Sequence, residues 1–394
     1  MSKLPGLEMV RALAALTVIG GHIVYFDLVP VPTPLKMISA FGTEAVIVFF
    51  ALSGLVITRS VLRTSPTPVR FIWHRLVRIY PIYIFAIGLA ALTAWLVAGT
   101  MQAPSVWIGN LFFLQTLGGF IVPAPSTNPP LWSLSYEMMY YAIFAACLWR
   151  PSILGIFWCL ASSSAIIASL YTPVGILGHW VGTLSLGLPW LFGNAIARFP
   201  ARFPTISVPL GVCLLVIGLI FSRSPLSGSF YDPFRLCAFG LLCCPLLLAL
   251  SSSQKECVPM NVLIRPIAFV FGEILLWTIS PALFITKAGL TVAGLAATIM
   301  PLKAVDTVLR HMRVLQRPLV YVGSISYALY TIHVPILLLI RHFTPEIAAL
   351  RLMIFFPSII IIAHILERRI QPLWVPDRKC PLSHVKSFES AQTP

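Results

Sequence analysis

Long apolar runs recur along the whole 394-residue chain and constrain its fold more than any other feature. A membrane helix needs roughly 20 apolar residues. Twelve runs are candidates: 9–29, 38–58, 79–98, 132–149, 152–170, 177–197, 206–222, 234–252, 262–284, 286–302, 318–340 and 348–366. With 58% hydrophobic and 10% charged residues, the chain has too little polar surface for a water-soluble, disordered or coiled-coil protein. Transmembrane β-barrels alternate apolar and polar residues, and these runs do not. The sequence therefore predicts an all-α, polytopic integral membrane protein.

The number of transmembrane helices is predicted as ten to twelve. The 286–302 run is the weakest, and the 177–197 run carries Gly and Pro. Ten spans remain if 262–302 is an extra helix pair or a re-entrant hairpin rather than part of the basic bundle. The 105–117 run is too short to cross, so we expect it to lie in the interface or to re-enter the membrane.

The net charge of +15, from 27 Lys and Arg against 12 Asp and Glu, is concentrated between the apolar runs. In a soluble domain this balance suggests nucleic acid, but in a membrane protein basic loops mark the cytoplasmic side. Loops 59–78 and 303–317 are basic, whereas 99–131 has neither Lys nor Arg. Both termini are therefore predicted to be cytoplasmic, with one transmembrane domain over 1–370 and a short tail over 371–394. Membrane lipid is therefore an expected partner, and no nucleic-acid partner is expected.

Four ionisable side chains are predicted inside apolar runs, where charged groups are costly and usually functional. His22, Glu44, Glu137 and His333 lie on four separate runs, at similar distances from the outer end. At 1.5 Å per residue they share a depth of about 8–11 Å below the outer boundary. Each alone has a plain interpretation as a packing histidine, a counter-ion or a solvated carboxylate. Together they predict a general-base site, because a carboxylate orients an imidazole and raises its basicity.

A second polar set is basic and lies at the predicted inner boundary. Arg75 and Arg78 are three residues apart and so share a helix face. Paired guanidinium groups suit a phosphate-bearing ligand, while topogenic charge or contact with lipid headgroups is the alternative interpretation. Arg11 lies inside the first run, eleven residues or about 16 Å before His22. The first helix is thus predicted to join an inner basic site to an outer histidine.

Five segments around these residues resemble motifs of the membrane acyltransferase-3 family, whose members O-acylate glycans and some antibiotics. They are similar, in order, to the family's Arg/Lys-x10-His, FFxxSGF, RxxRIxP, WSLxxE and SYxxYLxH motifs. The segments are Arg11-x10-His22, VFFALSGL at 48–55, RLVRIYP at 75–81, WSLSYEMMYY at 132–141 and SISYALYTIH at 324–333. One departure is Ile47, which stands where the family usually has an acidic residue. Glu44 lies three residues earlier on the same helical face, and we hypothesise that it substitutes.

The resemblance implies a multi-pass enzyme of the bacterial inner membrane that transfers an acyl group, usually acetyl. The implied donor is cytoplasmic acetyl-CoA or another acyl-CoA, which acts as a co-substrate and is not a permanently bound cofactor. The implied acceptor is a hydroxyl of a cell-surface or exported glycan, with a macrolide or lipid as the alternative. Direct transfer is preferred to an acyl-enzyme, because no cysteine lies at the polar layer with a base beside it. The eight cysteines also lack zinc-site spacing, so no metal is expected.

The resemblance also implies a role for each candidate residue. His22 is the implied general base, and Glu137 would orient it or position the acceptor hydroxyl. His333 is the candidate for contacts to the oxyanion or the acceptor. The candidates for holding the donor are Arg11, Arg75 and Arg78. The candidates for substrate or supporting contacts are Glu44, Trp132, Ser133 and Tyr330.

Two other classes of protein remain open from the sequence. In a proton-coupled transporter or flippase, His22 and Glu137 would form a proton relay. That class predicts inverted repeats and broken helices at corresponding positions, and the sequence shows no internal repeat. In a sensor or scaffold, the polar layer would only specify helix packing, so replacing His22 would lower expression rather than turnover.

Overall fold

The computed structural model describes residues 4–31, 41–116, 121–170, 175–203, 206, 208–222, 232–251 and 315–374. Its helices, in chain order, are α1 (Pro5–Tyr25), α2 (Gly42–Thr64), α3 (Pro68–Thr93), α4 (Pro104–Leu111), α5 (Trp132–Trp149), α6 (Ser152–Leu170), α7 (Gly175–Ser185), α8 (Gly187–Arg198), α9 (Val208–Ser222), α10 (Pro233–Ser251), α11 (Leu315–Ser324), α12 (Ser326–Phe343), α13 (Ala348–Ile365) and α14 (Gln371–Trp374). Single π-helical segments, Ala94–Ala98 and Leu366–Ile370, continue α3 and α13.

The fold is that of an all-α polytopic membrane protein, as the apolar runs predict. In the part of the chain that the structure describes, six helices are long and apolar enough to cross a membrane, or seven if the bent pair α11 and α12 forms one span. An isolated bridge between Gln115 and Val122 is the extent of β-structure in those residues. The 262–302 region and the 371–394 tail beyond Trp374 lie outside the described residues, so the choice between ten and twelve spans stays a prediction.

The 177–197 run, predicted as one span, instead forms the two short helices α7 and α8, which meet at Leu186. Pro189 explains the break, because it has no N–H to donate to the Ser185 carbonyl four residues earlier. Gly187 packs closely there, since a Cβ at this position would overlap the ring of Phe157. The run is therefore divided between two helices, at the Gly and Pro residues noted in the sequence, and whether the pair crosses the membrane stays a prediction.

Helix α2 lies at the centre of the bundle and touches α8 backbone to backbone. A Cβ on Gly54 would overlap the carbonyl oxygen of Trp190, and one on Gly193 would overlap that of Ala51. Small residues allow membrane helices to approach this closely. The contact fixes the rotation of α2, so that Gly54 faces α8 while the preceding residue, Ser53, faces the cavity described below.

The segment between α3 and α5 combines buried polar side chains with exposed apolar ones. The side chains of Asn110, Gln115 and Asn128 are fully buried, whereas those of Ile108 and Phe112 are exposed. Gln115 Nε2 donates to the hydroxyl oxygen of Tyr83 and to the carbonyl of Leu131, each at 2.8 Å. We call this segment the re-entrant segment after one of the two expectations for the 105–117 run, and the choice between a re-entrant and an interfacial position stays a prediction.

Helix α12 carries a proline whose effect is compensated by the re-entrant segment. Pro335 has no N–H, so the Thr331 carbonyl four residues earlier lacks its usual helical donor. Asn128 Nδ2 donates to that carbonyl at 2.8 Å. A proline in a membrane helix requires such a substitute donor. The re-entrant segment is thereby anchored two residues from His333.

Candidate active site

A cavity of about 430 Å³ lies between α1, α2, α3, α5 and the start of α12. Among the described residues, its charged lining consists of Glu8, Arg11, Arg75, Arg78, Glu137, Glu367 and Arg368. Arg78 and Arg368 are exposed and indicate the open end, whereas Arg75 and Glu137 are half-buried further in. An excess of guanidinium groups in a partly enclosed space favours an anionic ligand.

Helix α1 contributes an ion pair to this cavity. Arg11 Nη1 donates to both carboxylate oxygens of Glu8, at 3.1 Å each. A Cβ on Gly323 would overlap the carbonyl of Glu8, so α1 and the end of α11 are in close contact here. Arg11 is therefore held by a neighbour one turn away, and a ligand that binds it must share it with Glu8.

Arg75 lines the cavity and packs against Phe71 one turn earlier on α3. Its guanidinium lies over the ring of Phe71, 5.8 Å from the ring centre. Its Nε is buried and has no hydrogen-bond partner in the described part of the chain, as is also the case for Arg198 and Arg351. The position of Arg75 in the cavity lining, and not this buried nitrogen, makes it a candidate for contact with an anionic group.

Glu137 lies in a hydrogen-bonded cluster on the cavity wall. The Ser53 hydroxyl donates to Glu137 Oε1 at 2.8 Å, and the Tyr141 hydroxyl donates to the same oxygen. The Ser53 and Tyr141 oxygens are 3.1 Å apart. Two donors on one oxygen stabilise a carboxylate and fix its orientation. The cluster joins α2 to α5 inside the cavity.

Glu137 lies deeper than the common polar layer expected from the sequence. It contacts Ser53, which is nine residues or about 14 Å along α2 from Glu44. The preceding segment holds the start of α5 in this position, through the bond of Gln115 to the Leu131 carbonyl and that of Asn128 to the Thr331 carbonyl. Within the described residues, no hydrogen bond joins Glu137 to either His22 or His333.

Tyr330 closes the end of the cavity away from the exposed Arg78. Its hydroxyl donates to the Pro130 carbonyl at 2.7 Å, which leaves its oxygen to accept from the Ser133 hydroxyl at 2.7 Å. The Tyr330 ring lies between those of Phe49 and His333, with each pair of ring centres 6.0 Å apart. The side chain therefore forms the wall between the cavity and the histidines beyond it.

The two histidines predicted from separate helices are in contact. His333 Nε2 lies 3.2 Å from His22 Nδ1, and the ring centres are 5.0 Å apart. His333 is fully buried, and its Nδ1 lies 2.8 Å from the carbonyl oxygen of Tyr330. His22 is half-buried and stacks on Phe26. Since both ring nitrogens of His333 are engaged within the protein, none is left for an oxyanion or an acceptor.

Besides the two histidines, the sequence candidates Glu44 and Trp132 lie away from the cavity lining. Glu44 is buried and accepts a hydrogen bond from the Ser222 hydroxyl at 3.0 Å, on the side of α2 that faces α9. Ile47 is fully buried and packs towards Gly240 of α10. Trp132 contacts the ring of Tyr136, with ring centres 5.2 Å apart. Ser133 and Tyr330, by contrast, do line the cavity.

Several cavity residues were missed from the sequence. Helical spacing could have identified two of them, since Glu8 lies three residues before Arg11 and Tyr141 lies four residues after Glu137. Glu367 and Arg368 belong to the π-helical segment after α13, and only the tertiary fold brings them to the cavity. No local pattern marks that pair.

The fold and the cavity define a polytopic membrane protein with an arginine-containing cavity between its helices. Residues 4–368 match the family model of the acyltransferase domain Acyl_transf_3, and the chain belongs to this acyltransferase family. As a member, it is an O-acyltransferase by class. The family resemblance predicted from five motifs is confirmed.

Two curated relatives are similar to this chain. The exopolysaccharide production protein ExoZ of Rhizobium meliloti (strain 1021) is 31% identical over 279 residues, which cover 65% of this chain and 81% of that protein. The acyltransferase MdmB of Streptomyces mycarofaciens is 32% identical over 178 residues, or 42% of this chain and 45% of that protein. No solved structure matches the chain.

Proposed function

We propose that the protein transfers an acetyl group from cytoplasmic acetyl-CoA to a hydroxyl of an exported glycan, at the bacterial inner membrane. The observation that carries this proposal is the order of the ionisable side chains Arg11 and His22 along α1. An arginine-lined cavity begins at Arg11, and the His22–His333 pair lies beyond it, about 16 Å further along the helix. An anionic donor with a long reactive arm fits that order.

The donor's phosphates are assigned to the open end of the cavity. Arg78 is exposed at that end, and Arg75 lines the cavity further in. Guanidinium groups bind phosphates with paired, charge-assisted hydrogen bonds. The pantetheine arm of coenzyme A then extends past Glu137 towards Tyr330. Because Glu137 bonds to Ser53 and Tyr141 and not to His22, we assign it to the donor arm rather than to the base.

His22 is assigned as the general base. It takes the proton of the acceptor hydroxyl while the oxygen attacks the thioester carbonyl. The carbon–sulfur bond breaks, and the proton passes to the departing thiolate of coenzyme A. The Tyr330 side chain must move for the thioester to reach His22, because it forms the wall between them.

The class of acceptor and the orientation of the protein in the membrane are supported less specifically than the reaction. The name of ExoZ refers to exopolysaccharide production, which favours a glycan acceptor. A macrolide or lipid acceptor is the alternative within the same reaction. Cytoplasmic termini follow from the positions of the basic loops and place the arginines on the side where acetyl-CoA is made.

The proposal is tested with purified protein, labelled acetyl-CoA and an envelope glycan fraction. Wild-type protein is expected to label the glycan, and the His22→Ala variant is expected to lose transfer by about 10²–10⁴-fold, the usual contribution of a general base. His342→Ala is the matched control, since His342 is exposed at the end of α12. Equal helical content and melting temperature establish that the variants are folded.

The same experiment separates the alternatives. If wild-type protein binds no acetyl-CoA and transfers no label, the donor assignment is wrong. If gradient-coupled flux of a small polar or glycan substrate occurs without acyl-CoA, the transporter class replaces the proposal. If His22→Ala lowers only the yield of folded protein, the histidine has a packing role.

A further inference from the structure

The contacts of the two histidines determine where their hydrogens lie. A carbonyl oxygen only accepts hydrogen bonds, so a ring nitrogen close to one must carry a hydrogen. His333 Nδ1 lies 2.8 Å from the Tyr330 carbonyl and 3.2 Å from that of Leu329. His22 Nδ1 lies 2.9 Å from the Val18 carbonyl. Both rings therefore carry their hydrogen on Nδ1.

The contact between the rings then has a fixed direction. With its hydrogen on Nδ1, neutral His333 has a lone pair on Nε2, which lies 3.2 Å from His22 Nδ1. The His22 Nδ1–H is therefore shared between the Val18 carbonyl and His333. His22 Nε2 is left with a lone pair, and it makes no hydrogen bond within the residues that the structure describes. This is the atom that a general base presents to a hydroxyl.

We propose that His333 is a positioning residue that acts through His22 and does not touch substrate. The inference rests on the proposed function and deepens it. When His22 Nε2 takes the acceptor's proton, the imidazolium keeps its Nδ1–H directed at His333 Nε2. The neutral ring of His333 thus takes the place that a carboxylate occupies beside the histidine of a hydrolase triad. The Val18 carbonyl already favours this tautomer, and His333 adds an acceptor that stabilises the cation as it forms.

The burial of the pair explains why the partner is an imidazole. His333 is fully buried on α12, and its ring contacts those of His22 and Tyr330. An isolated carboxylate there would carry a large desolvation cost, whereas a neutral imidazole accepts a hydrogen bond without bringing a charge. The three glutamates that line the cavity are on the other side of Tyr330. The helix itself is held near this point by Asn128, through the Thr331 carbonyl.

The tautomer is measured directly by nitrogen NMR on the full-length protein in nanodiscs, labelled with ¹⁵N-histidine. Protonated and unprotonated ring nitrogens have well-separated ¹⁵N shifts, and His22 is assigned by difference from a His22→Asn sample. Above the pH range in which imidazole titrates, His22 is expected to be protonated on Nδ1 and unprotonated on Nε2. A hydrogen on Nε2 would overturn the proposal, whatever the enzyme's activity.

The kinetic test compares His333→Gln with His333→Leu. A glutamine carbonyl can accept from His22 Nδ1–H, whereas leucine cannot. His333→Leu is therefore expected to lower kcat by roughly 10–100-fold with little change in KM. His333→Gln is expected to recover part of this loss. In His333→Leu the imidazolium of His22 is less stabilised, so the acid limb of the kcat–pH profile moves to lower pH. His342→Leu controls for loss of a histidine on the same helix.

Each outcome bears on a separate claim. Wild-type kcat in folded His333→Leu would refute the positioning role while leaving His22 as the base. Equal losses in both variants with an unshifted pH profile would also refute it, because a structural role alone moves no pH limb. If His333→Leu does not fold, the His333→Gln profile and the NMR result still decide. Absence of transfer by wild-type protein would instead refute the proposed function.

Discussion

At the scale of single residues, Arg75 and Arg78 are the α3 side chains that link the cavity to an anionic donor under the proposed function. Both line the cavity, and Arg75 also packs on Phe71. Guanidinium groups in a partly enclosed space bind phosphates with charge-assisted hydrogen bonds.

Replacing Arg75 is therefore expected to weaken donor binding. Loss of a charge-assisted hydrogen bond, about 1.5–3 kcal/mol, corresponds to roughly 10–100-fold in the Kd for acetyl-CoA. Arg75→Ala is measured by titration calorimetry against Arg70→Ala, which removes an exposed arginine outside the cavity lining on the same helix. Unchanged affinity in Arg75→Ala would contradict the phosphate assignment.

Glu137→Gln distinguishes the two roles that the sequence left open. If the carboxylate contacts the donor arm, as its bonds to Ser53 and Tyr141 favour, KM for acetyl-CoA rises by about 10-fold with a smaller change in kcat. A loss confined to kcat would instead mean that Glu137 acts on His22. Steady-state kinetics against the exposed control Glu346→Gln measure the difference.

At the scale of helices, close backbone contacts set the geometry of the cavity. Gly54→Ala is expected to destabilise the protein strongly, since the new Cβ would overlap the Trp190 carbonyl and force α2 from α8. Gly88→Ala is the matched control, because its Cβ would meet nothing within 4 Å. Melting temperatures and folded yields in detergent compare the two, and equal values would show that the α2–α8 contact is not tight.

Asn128→Ala tests the link between the re-entrant segment and α12. The variant leaves the Thr331 carbonyl without a donor, at an expected cost of about 1–3 kcal/mol. In a Pro335→Ala background the helix regains its own donor, so the same substitution should cost less. A double-mutant cycle on thermal stability measures the coupling, with exposed Ser126→Ala as control. Additive effects would rule out the compensation.

The helical elements show what local pattern predicts and what it does not. The apolar runs and the paired Arg75 and Arg78 follow from spacing along one helix, and the structure places both arginines at the cavity. The depth of Glu137 does not follow, because it depends on a re-entrant segment whose buried amides look like an ordinary polar loop in the sequence. The Glu44 substitution stays a hypothesis, and its bond to Ser222 away from the cavity lining does not favour it.

At the scale of the whole molecule, the protein has two polar compartments separated by Tyr330. Under the proposed function the arginine-lined cavity binds the donor, and the His22–His333 pair carries out the chemistry. The sequence predicted both sets of residues, because membrane interiors make ionisable side chains conspicuous, and it predicted their separation from the eleven residues between Arg11 and His22. It did not predict the Tyr330 wall between them, since contacts such as that of Tyr330 with Ser133 join residues nearly 200 positions apart.

The central claim is that acyl transfer runs from one side of the membrane to the other through His22. Proteoliposomes of defined orientation are loaded with glycan acceptor, and labelled acetyl-CoA is added only to the side that exposes Arg78. Labelled glycan is expected inside the vesicles with wild-type protein, none with His22→Ala, and none when the donor is on the opposite side. Labelling that persists in folded His22→Ala, or that occurs equally from both sides, would contradict it.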